Sequence, residues 1–168
     1  MNAISLKKMS YVAAADLLVE VAGLPPSTPT DGANLSFERG GWTCVLYPHP
    51  FDAQALVIEI ELGSADEAAD EVDPLLFAGA LRALLQVGDL LADQTPWRLG
   101  ISEGGMVTIA AVVDFGDFDA REALGMMDDG LQRGVGLLAI WHGALRGGAG
   151  IQPGALPAAG RPPGAVVA

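Results

Sequence analysis

Cysteine occurs once in the 168 residues, as Cys44, and histidine twice, as His49 and His142. A single cysteine excludes an internal disulfide framework and agrees with a reducing cytoplasm. These three side chains form the only candidate soft-metal or nucleophile set, and their spacings match no zinc pattern. No metal and no other cofactor is therefore expected, with His49 read as a loop residue between two prolines and His142 as a helix-surface residue. Basic residues are also scarce: 9 Lys and Arg stand against 21 Asp and Glu, a formal charge of −12. Nucleic acid and anionic membranes are polyanions, so neither is expected as a partner. A basic or neutral partner fits this charge better. At this length the chain has room for one core of average size, and no second domain is expected.

Arrangements that carry catalysis are poor. Glu59 and Glu61 point the same way from one strand, the minimum for an acid/base pair, but a solvated strand face accounts for them as well. Asp114-Phe115-Gly116 has the lettering of the kinase metal-binding triplet without the accompanying glycine loop or catalytic loop, and reads as a strand end and turn. Asp114, Asp117, Asp119 and Glu122 miss the calcium-loop spacing, and helix capping by Asp117 or Asp119 explains most of them. Eight acids and no base lie between Asp52 and Asp73. They read as a solvated edge gathered toward a helix start, and as a surface attractive to a basic partner. The chain is not expected to be an enzyme.

The pattern is densest from Asp73 to Gln94, DPLLFAGALRALLQVGDLLADQ, which predicts one long helix capped by Asp73 with Pro74 at its first position. Its strongly polar residues Arg82, Gln86, Asp89 and Asp93 fall on one stripe about 60° wide at 100° per residue. Phe77, Ala80, Leu84, Val87 and Leu91 lie opposite. Leu76, Ala83 and Leu90 make one apolar flank, and Leu81 and Leu85 the other. A sheet covers one face of a helix, so either more of this chain or a second chain must cover the flanks. Ionisable Arg82, Asp89 and Asp93, without flanking basic residues, argue against a membrane span.

Ahead of this helix, Ser5 or Ser10 caps a first helix with Met9, Val12, Ala13, Leu17 and Val21 at helical spacing, ended by Gly23 and Pro25. Asp16 and Glu20 interrupt what Lys7 and Lys8 would otherwise make into a signal peptide, so a cytoplasmic helix is expected. Residues 25–33 read as a loop. A meander of three strands follows: Leu35–Arg39, Trp42–Tyr47 and Ala55–Leu62, with Leu56, Ile58, Ile60 and Leu62 inward. After the central helix, Trp97, Leu99 and Ile101 alternate along a fourth strand and Met106–Phe115 makes a fifth, turned by Glu103-Gly104-Gly105. Thr108, Ala110, Val112 and Asp114 form its second face, which is unusually apolar and calls for cover or pairing. From Asp119 to about Arg146, Leu124, Met127, Leu131, Val135, Leu138 and Leu145 keep helical spacing. Gly125, Gly130, Gly134 and Gly136 weaken that helix by about 1 kcal/mol each, and a kink or break is expected. Residues 147–168 are mostly Gly, Ala and Pro with Arg161 as the one charge, a flexible tail dispensable for folding. Residues 1–146 then form one α+β domain.

The order α-β-β-β-α-β-β-α resembles the class I chaperones of type III secretion, the Tir-chaperone-like family. The resemblance extends over residues 5–146 and lies in the WTCVLYP strand, the DPLLFAGALRALLQ helix, the strands around GISEGGMVTIAAVV and a last helix ending near Trp141. It implies a cytoplasmic homodimer without enzymatic activity that holds the unfolded N-terminal segment of a secreted effector. By that resemblance the effector lies as an extended chain over the first helix and the early strands. The candidate effector-binding residues are then Val12, Leu17, Phe37, Val45, Tyr47 and Val57, and the candidate dimer residues Leu76, Leu81, Ala83, Leu85 and Leu90. Two other readings fit the composition: an acidic immunity or inhibitor protein that binds a folded toxin, and a small-molecule-binding α+β domain. The second needs convergent polar groups that the sequence does not offer.

Overall fold

The computed structural model describes residues 9–24, 34–65, 72–102, 104–116 and 118–147. The loop expected over 25–33, four of the eight clustered acids (Asp66, Glu67, Asp70 and Glu71), Glu103, Asp117 and the tail beyond Gly147 lie outside these residues. Among the described residues eight elements follow in the expected order: α1 (Tyr11–Val21), β1 (Leu35–Arg39), β2 (Trp42–Pro48), β3 (Ala55–Ser64), α2 (Pro74–Gln94), β4 (Arg98–Ile101), β5 (Met106–Asp114) and α3 (Ala120–Leu145). All five strands form one antiparallel sheet in the order β1-β2-β3-β5-β4, so the second hairpin joins the meander through β5 and leaves β1 and β4 as edges.

The sheet has one dry face. Leu35 pairs with Leu46, Leu46 with Ile58 and Ile58 with Ala111, while Cys44, Ile60, Ile109 and Leu99 make the next row across the strands. These residues join Ala14, Leu18, Leu84, Leu91, Met127 and Trp141 from the helices in one core. The helices therefore share this face. A bulge lies between Glu61 and Gly63, and Leu62, inward by the strand alternation, meets Gly134 of α3.

The central helix matches its sequence pattern. Asp73 accepts from the Leu75 N–H at 2.8 Å, Pro74 takes the first turn, and Ala80, Leu84, Val87 and Leu91 are buried. By length and composition alone α2 is able to cross a membrane. Here its apolar face packs on the core, with Gly88 against Leu99 of β4 and Phe77 edge-on to Trp141 of α3.

Two helices depart from expectation. In α1 the buried residues are Tyr11, Ala14, Ala15, Leu18 and Val19; of the stripe read from the sequence, Met9 and Val12 pack half-buried against the core, while Ala13, Leu17 and Val21 are exposed. Both stripes have helical period, so periodicity alone does not choose between them. The small pair Ala14-Ala15 allows close approach, and the Tyr11 hydroxyl donates to the Leu46 carbonyl at 2.9 Å. Ser10 provides the cap.

The last helix runs unbroken for 26 residues. Its buried face is Ala123, Met127, Gly130, Gly134, Leu137 and Trp141, so two of the glycines expected to break it are contact positions, while Val135 is exposed. A Cβ on Gly130 would overlap the Trp97 indole, 2.6 Å from Cη2 and 2.7 Å from Cε2, and one on Gly134 would lie 2.7 Å from Leu62 Cδ2. Tertiary packing thus outweighs the propensity cost. Asp119 caps the helix through the Arg121 and Glu122 N–H groups. Arg39 clamps it to the end of β1, donating from Nε and Nη2 to the two Asp128 oxygens at 2.7 and 2.9 Å.

Candidate functional site

Since period 2 sends alternate side chains to opposite faces, the register fixes what lies on the sheet face away from the helices. Tyr47, Val57 and Val112 make one row across β2, β3 and β5. Val45, Glu59, Ala110 and Arg98 make the next across β2, β3, β5 and β4. None of these residues belongs to the core cluster. Val112 is 53% exposed, whereas Val57, on the central strand between Tyr47 and Val112, is only 5% exposed. Val57, a candidate contact residue, is thus buried although it lies on the outer face. Val112 is the apolar residue left open.

The Tyr47 hydroxyl donates to Glu59 Oε2 at 2.7 Å. Burial, and then this bond to a carboxylate, raise the Tyr47 phenol well above its ordinary range, so it remains a donor at neutral pH. Glu61 shares the outer face, as the strand alternation requires.

The six candidate effector-binding residues fall in three places. Val45, Tyr47 and Val57 are together on the outer face. Phe37 pairs with Cys44 and packs with Val12 against the core, on the opposite side of the sheet. Leu17, 40% exposed beside Val21, points outward from α1. A chain touching both Leu17 and Val45 must pass round the β1 edge.

Of the candidate dimer residues, Leu76, Leu85 and Leu90 are exposed, Leu85 at 64%. Leu81 packs against the core and Ala83 is half-buried. Ile101, on the β4 edge, is also exposed. Sequence reasoning left out Ile101 and named Val112 only as part of an over-apolar face. Strand alternation marked both, and the strand order needed to rank them was not available.

Cys44 is fully buried, and desolvation pushes its thiol up to about 11, with a smaller opposing pull from Arg39. It is protonated at neutral pH and a poor nucleophile. His49 lies in the β2–β3 loop, accepting from the Phe51 N–H at 3.3 Å, and His142 is exposed in the last turn of α3. Asp114 closes a turn by accepting from the Gly116 N–H at 2.6 Å, which makes the kinase-like triplet a strand end.

No protein-family model matches this chain, and no curated protein matches it by sequence. Solved structures do match by shape. One is the ExsC–ExsE complex, with a TM-score of 0.58 and 17% identity over 75% of this chain and 92% of the other. A second is the type III secretion chaperone SycH of Yersinia pestis in complex with a stable fragment of YscM2, at 0.53 and 12% over 76% and 99%. A third is the heterodimeric ExoU–SpcU complex from the type III secretion system of Pseudomonas aeruginosa, at 0.54 and 21% over 74% and 95%. The chain has a type III secretion chaperone-like fold.

Proposed function

We propose that this protein is a cytoplasmic secretion chaperone that, without catalysing a reaction, holds the unfolded N-terminal segment of a secreted effector. The observation that carries the reading is the outer sheet face: Val45, Tyr47, Val57, Ala110 and Val112 lie there with no covering helix among the described residues, in a fold shared with proteins solved in complexes. An antiparallel sheet tolerates one wet face, but that face is then normally polar. Apolar area of this kind suits an extended chain, and Leu17 and Val21 on α1 add exposed apolar side chains for it to reach. Phe37 of β1 and Val12 of α1 are half-buried against the core.

The protein acts as a homodimer in this reading, joined through α2. Leu85 is exposed on one flank of α2 and Leu76 with Leu90 on the other, and Ile101 is exposed on β4, which packs beside α2. Burying a leucine contributes about 1.5 to 3 kcal/mol, so a few such side chains per protomer suffice for a stable pair.

Co-expression with candidate secreted proteins truncated from either end tests the function. Capture by a short N-terminal fragment is the expected result. Capture that requires the partner's folded domain would replace this reading with that of an inhibitor.

A further inference from the structure

We propose that the segment held on the outer face carries a lysine or arginine, two residues from an apolar side chain, and that this cation meets Glu59. The inference rests on the reading of that face as a client-holding surface and adds the chemistry of what it holds. Glu59 is on β3, the central strand, with Val45 on one side, Ala110 on the other and Val57 two residues before it. It is half-buried before any partner arrives. Tyr47 orients the carboxylate through Oε2 and occupies one of its roughly four acceptor positions. Among the described residues no donor is recorded for Oε1.

A segment crossing Val57 and Val112 must also remove water from Glu59. Shutting a carboxylate away from water without a counter-charge is strongly unfavourable, so a purely apolar segment is penalised at this point. A cation changes the sign of the effect, because a charge-assisted hydrogen bond to Oε1 replaces the lost water. The spacing follows from the strand repeat: Val57 and Glu59 are neighbours on one face, about 6.4 to 6.8 Å apart along the strand, the separation of residues i and i+2 in an extended partner.

The wider face has the same bias. Glu38, Glu59, Glu61 and Asp114 project from it, against Arg98 on the edge strand β4. A second copy laid on this face would set carboxylate against carboxylate. The occupant is therefore a basic, partly apolar segment of another protein.

Panning a phage-displayed random 12-residue library on the purified full chain tests this, in parallel with Glu59→Gln and Glu59→Lys. Wild type should enrich apolar peptides with Lys or Arg two residues from an apolar position. A synthetic version of the best peptide should bind Glu59→Gln at least about tenfold more weakly, the scale of one charged hydrogen bond. Its Lys→Glu or Arg→Glu version should regain affinity for Glu59→Lys. Thermal melts confirm that both variants are folded, and the isosteric Glu59→Gln keeps the test valid if Glu59→Lys does not fold. Enrichment of apolar peptides with no basic preference, bound equally by Glu59→Gln, overturns this inference and leaves the chaperone reading standing. Peptides whose binding ignores Val112→Asp overturn the surface itself. Enrichment seen only after removal of residues 148–168 would make the chain's own tail the occupant, and a smaller oligomer in Val112→Asp would make it a second copy. Either result also overturns the proposal.

Discussion

Gly130→Ala separates local propensity from packing. Alanine in a helix interior is favoured over glycine by about 1 kcal/mol, so sequence reasoning alone gives a stabilised variant. The structure gives the opposite sign. The added methyl would lie 2.6 and 2.7 Å from two indole atoms of Trp97, which is fully buried and has no route outward. Overpacking of this kind costs about 1 to 3 kcal/mol, and overlap with a rigid ring points to the upper end. The net loss is then about 2 kcal/mol, a fall in Tm of roughly 7 °C at this chain length. Gly125→Ala is the control, since nothing lies within 4 Å of its added methyl, and it should gain up to about 1 kcal/mol. Thermal and urea unfolding at one fixed protein concentration measure both, because a dimer makes Tm concentration-dependent. In a Trp97→Leu background the overlap penalty should largely vanish, a coupling of about 2 to 3 kcal/mol. A Gly130→Ala variant as stable as Gly125→Ala would refute the close approach of α3 to Trp97.

Leu85→Asp with Ile101→Asp, or Leu76→Asp with Leu90→Asp, should yield a folded monomer by sizing with light scattering; wild type running as a monomer at micromolar concentration would end the dimer proposal. Leu81→Asp should instead unfold the chain, because Leu81 packs against the core. The Cys44 thiol is raised from 9.0 to about 11 in the folded chain, so the folded state binds the proton more tightly than the unfolded state. Its contribution is complete below pH 9 and should be lost as pH rises toward 11; a Cys44→Ala variant should lose stability less steeply over that window, and an identical slope would contradict the burial. Truncation after Gly147 should leave Tm nearly unchanged, whereas a fall of several degrees would show that the tail packs.

The elements were legible because their local signals were strong. Asp73-Pro74 marked the start of α2, and Phe77, Ala80, Leu84, Val87 and Leu91 marked its buried face. The alternation in β3 and β5 separated the two sheet faces correctly. Legibility failed where a contact distant in sequence decided the outcome. Gly130 reads as a weak point until Trp97 is placed against it. The two stripes of α1 are equally periodic until the Tyr11 hydroxyl finds the Leu46 carbonyl. Within the candidate site, Phe37 was grouped with Val45, Tyr47 and Val57, although the pairing of Phe37 with Cys44 sets it on the other face. Val57 is buried on β3, the middle strand, and the sequence carries no local mark of strand order.

The most direct test of the account is capture of a short, unfolded N-terminal effector fragment by wild type, Val112→Asp and Val45→Asp, each at about 0.15 and 0.5 M salt. Val112 is exposed and Val45 half-buried, so the melts of both variants should stay near wild type. At 0.5 M the Debye length falls to about 4 to 5 Å, which screens exposed acids but not a hydrophobic contact. The account predicts that either aspartate variant abolishes capture and that salt weakens wild-type capture only modestly. Capture lost to salt alone, with both variants still competent, would contradict it and move the site to the acidic surface.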